Sequence, residues 1–299
     1  MSGELTMKNK MTKSMKSKIS VSTRINVPLE KVWYVMNEPR HIVGWNAASE
    51  DWHCPDAENN LIEGGRFAYR MAARDGSMEF DFSGTYNKVT DYQIIEYTLD
   101  DQRKCTVTFQ PDGLKTIIIQ VFEPESTFPE NLQRDGWQAI LDNLKRYVEN
   151  LPVLSFSIQI EALVEKVFKT MLDDHHYREW TSAFNPTSHF EGKWQKGESI
   201  KFLGSDEQGN VGGMQSLVSE FIPNRHVSLQ HIGEIQSGQN TDDTQKAESW
   251  SGALENYWYF PSDKGTMVYV ETDQFPGFDE YFKDTWPKAL AILKKICEE

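Results

Sequence analysis

The chain has 299 residues, 38% hydrophobic and 25% charged, with a net charge of −14. That is the make-up of globular protein of roughly two ordinary domains, not of a disordered or fibrous chain. Residues 19–150 carry −8 and residues 151–299 carry −10, which argues against a nucleic-acid partner, since two acidic bodies repel a phosphate backbone.

No apolar run is long enough to span a bilayer. The lysines near the N-terminus are not followed by an apolar block, so a secretory signal is not expected. Residues 1–18 hold five lysines and one glutamate and read as a disordered basic leader. Cys54, Cys105 and Cys297 are few, far apart and odd in number. They point to a reducing cytoplasm rather than a disulfide framework. No C-x-x-C pair is present, so no structural zinc is expected; no metal and no cofactor is assigned.

Chain order then reveals a repeat. Ile19, Val21, Thr23, Ile25 and Val27 alternate with polar residues, the period of a half-buried strand. Leu154, Phe156, Ile158, Ile160 and Ala162 do the same. Glu30-Lys31-Val32-Trp33 recurs as Glu165-Lys166-Val167-Phe168, and Trp45 recurs as Trp180 at the same offset. Each first strand therefore leads into two short helices, Leu29–Met36 then Pro39–Trp45, and Val164–Leu172 then Asp174–Trp180. Strands are predicted in the first copy near Gly65–Met71, Ser77–Thr90, Gln93–Leu99, Lys104–Gln110 and Leu114–Glu123. Asp75-Gly76 and Asp112-Gly113 supply hairpin turns, as Lys264-Gly265 does in the second copy. Trp137, Ile140, Leu141, Leu144, Tyr147 and Val148 form a helical stripe that Trp286, Leu290, Leu293 and Ile296 repeat at a larger offset. The difference implies an insertion, read as a long loop around His231–Trp250. Pro287 is expected in the first turn of the last helix, after a cap at Asp284 or Thr285, with a kink as the alternative. Asn150-Leu151-Pro152 is the linker between domains at 19–150 and 151–299, short enough that contact between them is expected.

This order of elements, and the residues that carry it, resemble the helix-grip fold of the START-related, birch-pollen-allergen-like (SRPBCC) superfamily. In the first copy Val27-Pro28-Leu29-Glu30-Lys31-Val32-Trp33, Trp52-His53-Cys54-Pro55, Gly64-Gly65-Arg66-Phe67, Gly76-Ser77-Met78-Glu79-Phe80, Gly84-Thr85-Tyr86 and the stretch Gln133–Leu141 resemble the subfamily related to the activator of the heat-shock-protein-90 ATPase. The second copy, with Trp180-Thr181-Ser182, Trp194-Gln195-Lys196-Gly197-Glu198, His231-Ile232-Gly233-Glu234, Glu255-Asn256-Tyr257 and Pro287-Lys288-Ala289-Leu290, resembles another branch. The resemblance implies an α+β fold class: two tandem domains, each a curved antiparallel sheet wrapped around a long C-terminal helix. It also implies a cavity between sheet and helix, but no catalytic set.

The expected ligand-binding residues are the aromatic positions Trp45, Phe67, Tyr69, Phe80, Phe82, Tyr86 and Trp137 in the first copy, with Trp180, Asn256, Trp258 and Trp286 in the second. The alternative for each is core filling, and one cavity can be packed shut by its own side chains. Glu255, with His231, is the one acid–base candidate, the alternative being a structural hydrogen bond to the insertion loop: burial in an aromatic strand raises a carboxyl pKa, and strand alternation sends either Glu255 or Asn256 inward. His53 and Cys54 read as structural, because neighbours on a strand face opposite ways. His175, His176 and His189 match no metal frame. Arg66 is either an anion anchor or a surface ion pair. Three functions follow as expectations: a binder of a small hydrophobic molecule, a chaperone-linked interaction module by family analogy, and a cyclase or aromatase-type enzyme.

Overall fold

The computed structural model describes residues 18–236, 239–241, 251–274 and 277–299. All of the basic leader except Lys18 lies outside them, as does 242–250 of the insertion. The chain forms two compact units, Met1–Leu151 and Pro152–Glu299.

In the first unit β1 (Ile19–Ile25) is followed by α1 (Leu29–Asn37) and α2 (Pro39–Trp45). Then come β2 (Trp52–Asn59), β3 (Arg66–Ala73), β4 (Glu79–Thr90), β5 (Ile94–Leu99), β6 (Lys104–Asp112) and β7 (Lys115–Phe122), and α3 (Glu130–Glu149) closes the unit. The seven strands form one antiparallel sheet in the order β1-β7-β6-β5-β4-β3-β2. The strand β2 was not among the predicted strands, although His53 and Cys54 were read as strand neighbours. It is an edge strand, and its register breaks between His53 and Asp56; an edge with a bulge is where a sheet tolerates a proline such as Pro55.

The second unit repeats the plan. β8 (Val153–Ile160), α4 (Val164–Leu172), α5 (Asp174–Trp180) and a 3-10 turn (Thr181–Ala183) lead into β9 (His189–Gly192), β10 (Ser199–Ser205), β11 (Val211–Ile222), β12 (His226–Gln236), β13 (Gln239–Thr241), β14 (Leu254–Ser262) and β15 (Gly265–Asp273). The last helix, α6, spans Asp279–Glu298. The sheet order is β8-β15-β14-β12-β11-β10-β9, with β13 paired to β12. Both units are α+β helix-grip domains, as the resemblance implied.

Two sequence readings are corrected here. The insertion is not a loop throughout: β12 runs on to Gln236, and β13 pairs with its end. Gly233 does not end the strand: within β12 it pairs with Gln215 of β11. Pro287 is not in the first turn either, because α6 starts at Asp279, eight residues earlier. The missing N–H leaves the Lys283 carbonyl without its helical donor.

The repeat is kept in hydrogen bonds as well as in sequence. The backbone N–H of Asn26, just past β1, donates to Glu149 at the end of α3 at 2.7 Å. That of Glu161, just past β8, donates to Glu298 at the end of α6 at 2.8 Å. Thr116 and Thr266 donate to the carbonyls of Val27 and Ala162, each at 2.8 Å. Gln138 of α3 both donates to and accepts from the backbone of Ser22, covering the free edge of β1 that would otherwise invite pairing. Under each final helix lies a core. Ile19, Ile118, Phe122, Leu141 and Leu144 are buried in the first unit, and Ile160, Val268, Trp286, Leu290 and Leu293 in the second. Each such side chain contributes about 2 kcal/mol of burial energy.

Candidate functional site

The two short-helix tryptophans hold structure. Trp45 donates its indole N–H to the Val35 carbonyl at 3.2 Å, and Trp180 donates to the Met171 carbonyl at 2.9 Å. Each ties the second short helix to the end of the first. A cleft of about 500 Å³ in the first unit is bordered by Trp45, Trp52, Cys54, Asn143 and Tyr147. It opens between α2 and α3, not beneath the aromatic strands.

Those strands carry a dense aromatic cluster. Phe67 meets Tyr69, Phe82, Tyr86 and Tyr97 at ring separations of 5.1–5.9 Å. Trp137 of α3 stacks on Phe122 at 4.1 Å and meets Phe82 edge-on at 5.8 Å. The phenols are served from within: Tyr86 donates to Asn59 at 2.7 Å, and Tyr97 accepts from Gln120 at 3.1 Å. Phe80 is the exception. It shares the strand face of Phe82 but lies at the sheet end, 48% exposed, with its ring against Trp52.

Arg66 makes two hydrogen bonds to Asp100, at 2.8 and 3.1 Å, on the surface, the ion-pair alternative. Burial pushes the Cys54 thiol up to about 11, which leaves it a protonated and poor nucleophile. His176 pairs with Asp173 at 2.8 Å, and His189 lies 2.9 Å from the Thr187 carbonyl. Among the described residues no three metal-ligating side chains converge.

The second unit differs. Glu255 and Asn256 stand on β14, and the register fixes which is inward. Glu255 pairs with Leu229 and Tyr257 with Val227 and Val270, all on the face of the final helix, where Tyr257 meets Trp286 at 6.2 Å. Asn256 and Trp258 therefore lie on the opposite face, against His226, whose ring stacks on Trp258 at 4.9 Å and whose Nε2 is 3.2 Å from Asn256 Oδ1. Both were expected to line the ligand space; the register places them on the other face and turns Glu255 inward instead.

Glu255 and His231 are brought together. His231 Nε2 is 3.9 Å from Glu255 Oε2, and its Nδ1 is 2.8 Å from Ser216 Oγ on β11. The β11–β12 register breaks beside this pair: Gln215 faces Gly233, but Ser216 faces His231. The bulge at Ile232 thus sets the imidazole's aim. The Tyr257 hydroxyl donates to the other Glu255 oxygen. Desolvation raises the Glu255 carboxyl to about 7 and lowers the His231 imidazole to about 4. Between these values both groups are neutral, and the proton of the pair resides on the carboxyl. Glu255 is largely enclosed by neighbours, with 16% of its side-chain surface accessible.

Tyr177 of α5, buried beside Glu255, has its phenol raised by desolvation and then by that carboxylate. Its ring meets Trp180 at 5.2 Å and Trp194 at 6.3 Å. Tyr177 and Ser216 were missed in the sequence. Ser216 carries no signal without the register, whereas Tyr177 stands three residues before a tryptophan on a helix, a spacing that shares a face.

Buried donors without an acceptor among the described residues are the indole N–H groups of Trp194, Trp258 and Trp286. All three belong to the second unit. Leaving such a donor unmet costs about 1–3 kcal/mol, so each calls for an explanation that core filling does not give.

The sequence model of the family described as Activator of Hsp90 ATPase homolog 1-like protein matches residues 26–149. No curated protein matches. Among solved structures, the chain is similar to an AHSA1-like protein from Aeromonas hydrophila, 42% identical over 44% of this chain and 92% of that one, with a TM-score of 0.43. It is similar to Chr148 from Cytophaga hutchinsonii, 47% identical over 45% and 92%, with a TM-score of 0.40. The di-domain ARO/CYC StfQ of the steffimycin biosynthetic pathway is matched at 9% identity over 94% of this chain and 97% of that one, with a TM-score of 0.36. With the family model matched across residues 26–149, and 42% identity over nine-tenths of an AHSA1-like protein, the first domain belongs to the Activator of Hsp90 ATPase homolog 1-like family.

Proposed function

We propose that the protein is a cytoplasmic binding protein whose second domain holds a small, largely hydrophobic molecule between its sheet and α6. The observation that carries this reading is Glu255: a carboxyl on the inner face, raised to about 7 by desolvation and still partly accessible. Among the described residues no lysine or arginine is paired with this carboxyl; its neighbours are the Tyr257 hydroxyl and the His231 imidazole. The first domain is the structural partner in this reading, since its aromatic rings pack on one another and its phenols are satisfied.

The test is titration of the full chain with N-phenyl-1-naphthylamine, a neutral fluorescent probe. One equivalent is expected to bind, shifting the indole resonances of Trp180 and Trp286 and leaving that of Trp137 in place. A shift confined to Trp137 moves the ligand to the first domain. No saturable binding removes the reading.

A second reading concerns the first domain alone. Met78 and Phe80 are 61% and 48% exposed on the unit that matches the family, an apolar edge suited to a chaperone partner. An Hsp90-type chaperone from the same organism is expected to hydrolyse ATP faster with the chain present, and Phe80→Ser is expected to weaken that effect severalfold. An unchanged rate overturns this reading.

A further inference from the structure

We propose that the second-domain site takes a neutral molecule with a flat apolar body and a hydrogen-bond-accepting oxygen, of ketone or ester type, and that the Trp286 indole N–H is the donor on which this oxygen docks. The inference rests on the binding reading above and specifies its ligand.

The argument is a census of donors. Trp286 stands on α6 and is 2% exposed. The polar groups around it are committed: Trp180 N–H to the Met171 carbonyl, Tyr257 O–H to Glu255, Tyr259 O–H to Met171 Sδ, and Tyr281 O–H to the Phe184 carbonyl. Trp286 N–H has no acceptor among the described residues, and Trp194, across Tyr177, offers a second such N–H. An indole is a donor only, so what completes it must accept.

The walls set the rest of the molecule. Phe184 meets Trp286 edge-on at 5.0 Å, and Phe156 lies near-parallel to it at 6.0 Å. Trp180 and Tyr257 flank it at 6.1 and 6.2 Å. These rings make the surroundings of the N–H apolar and aromatic, which a flat apolar body would match. The rings around Trp286 are uncharged and give an anionic ligand no ionic partner, and Glu255 would oppose one when ionised. A cationic ligand is the competing class, because it would pair with that carboxylate.

Four probes on one frame separate these cases in the full chain: 1-tetralone, naphthalene, 1-naphthoate and 1-naphthylmethylammonium. We expect 1-tetralone to bind roughly tenfold more tightly than naphthalene and to move the Trp286 indole N–H resonance downfield. Trp286→Phe keeps a ring and removes the N–H; it should abolish the tetralone advantage while naphthalene binding stays within about twofold. Naphthalene binding as tightly as 1-tetralone, or either ion binding best, overturns the ligand class and leaves the binding site standing. Failure of all four to bind removes both. Should Trp286→Phe fold poorly, an unmoved Trp286 resonance in the wild-type chain with bound 1-tetralone is equally decisive against the donor.

Discussion

Glu255→Gln is expected to stabilise the second domain at pH 8 by on the order of 3 kcal/mol, and to leave it nearly unchanged at pH 4.5. The folded-state carboxyl is raised from 4.5 to about 7, and each unit of difference is worth about 1.4 kcal/mol. The sign follows from proton counts. Between pH 4.5 and about 7 the folded domain keeps a proton that the unfolded chain has released. The folded state therefore binds more protons, and stability falls as pH rises through that window. Above about 7 the penalty is complete, since an ionised carboxylate must then be held beside Tyr257, Tyr177 and His231.

Glutamine keeps the shape and carries no charge, so it escapes this cost. The background slope runs the other way. His226 and His231 are held down to about 4 by desolvation, so the unfolded state binds more protons between about pH 4 and 6.5, and stability rises across that range. Wild type and variant share those histidines, and the difference between them isolates the carboxyl. Urea unfolding of the full chain followed by tryptophan fluorescence, at pH 4.5, 6 and 8, should show the gap opening with pH. A gap that stays constant means the carboxyl is not held neutral by the fold.

The fold could be read from the chain because its determinants are local and occur twice. Alternation in Ile19–Val27 and Leu154–Ala162 marked the first strands, and Trp45 and Trp180 marked the ends of the second short helices, where the structure puts them. What escaped depends on partners far along the chain. The strand β2 carries Pro55, which the sheet tolerates only because β2 is an edge, and edge status is a property of the sheet. Pro287 was placed in a first turn because a single sequence does not show that Asp279–Trp286 already forms helix before it.

The site was half legible for the same reason. Glu255 and His231 could be named from composition and burial. Strand alternation could say only that Glu255 and Asn256 part company. Which of them faces α6, and that Trp258 goes with Asn256, is decided by the register of β14 against β12 and β15. In sequence, the aromatic residues of the two domains are indistinguishable in kind. They differ in whether their polar ends are satisfied, which only the folded arrangement determines.

The second large effect is expected at Gly213, with its neighbour as the control. Gly213→Ala should destabilise the second domain by about 3 kcal/mol, and Gly212→Ala by well under 1 kcal/mol. The two are adjacent on β11, and neither has the positive φ that would itself demand glycine. A methyl at Gly212 would meet only the Ile235 carbonyl oxygen, at 3.4 Å, an ordinary contact. A methyl at Gly213 would collide with the carbonyl oxygen of Phe202 and stand 2.9 and 3.0 Å from the Phe202 carbonyl carbon and Leu203 Cα. Those are backbone atoms of β10, so relief requires two paired strands to part.

The collision also reaches the site. Gly213 lies three residues before Ser216, and Phe202, which pairs with Met214, packs on Tyr177 at 6.0 Å. A displaced β10 would carry that ring away from the wall beside Glu255, so Gly213→Ala should weaken binding of the neutral probe as well as lower the melting temperature, while Gly212→Ala does neither. Equal melting temperatures for the two variants would show that β10 yields at little cost. The glycine pair would then be a tolerance of the strand, not a requirement of its close approach.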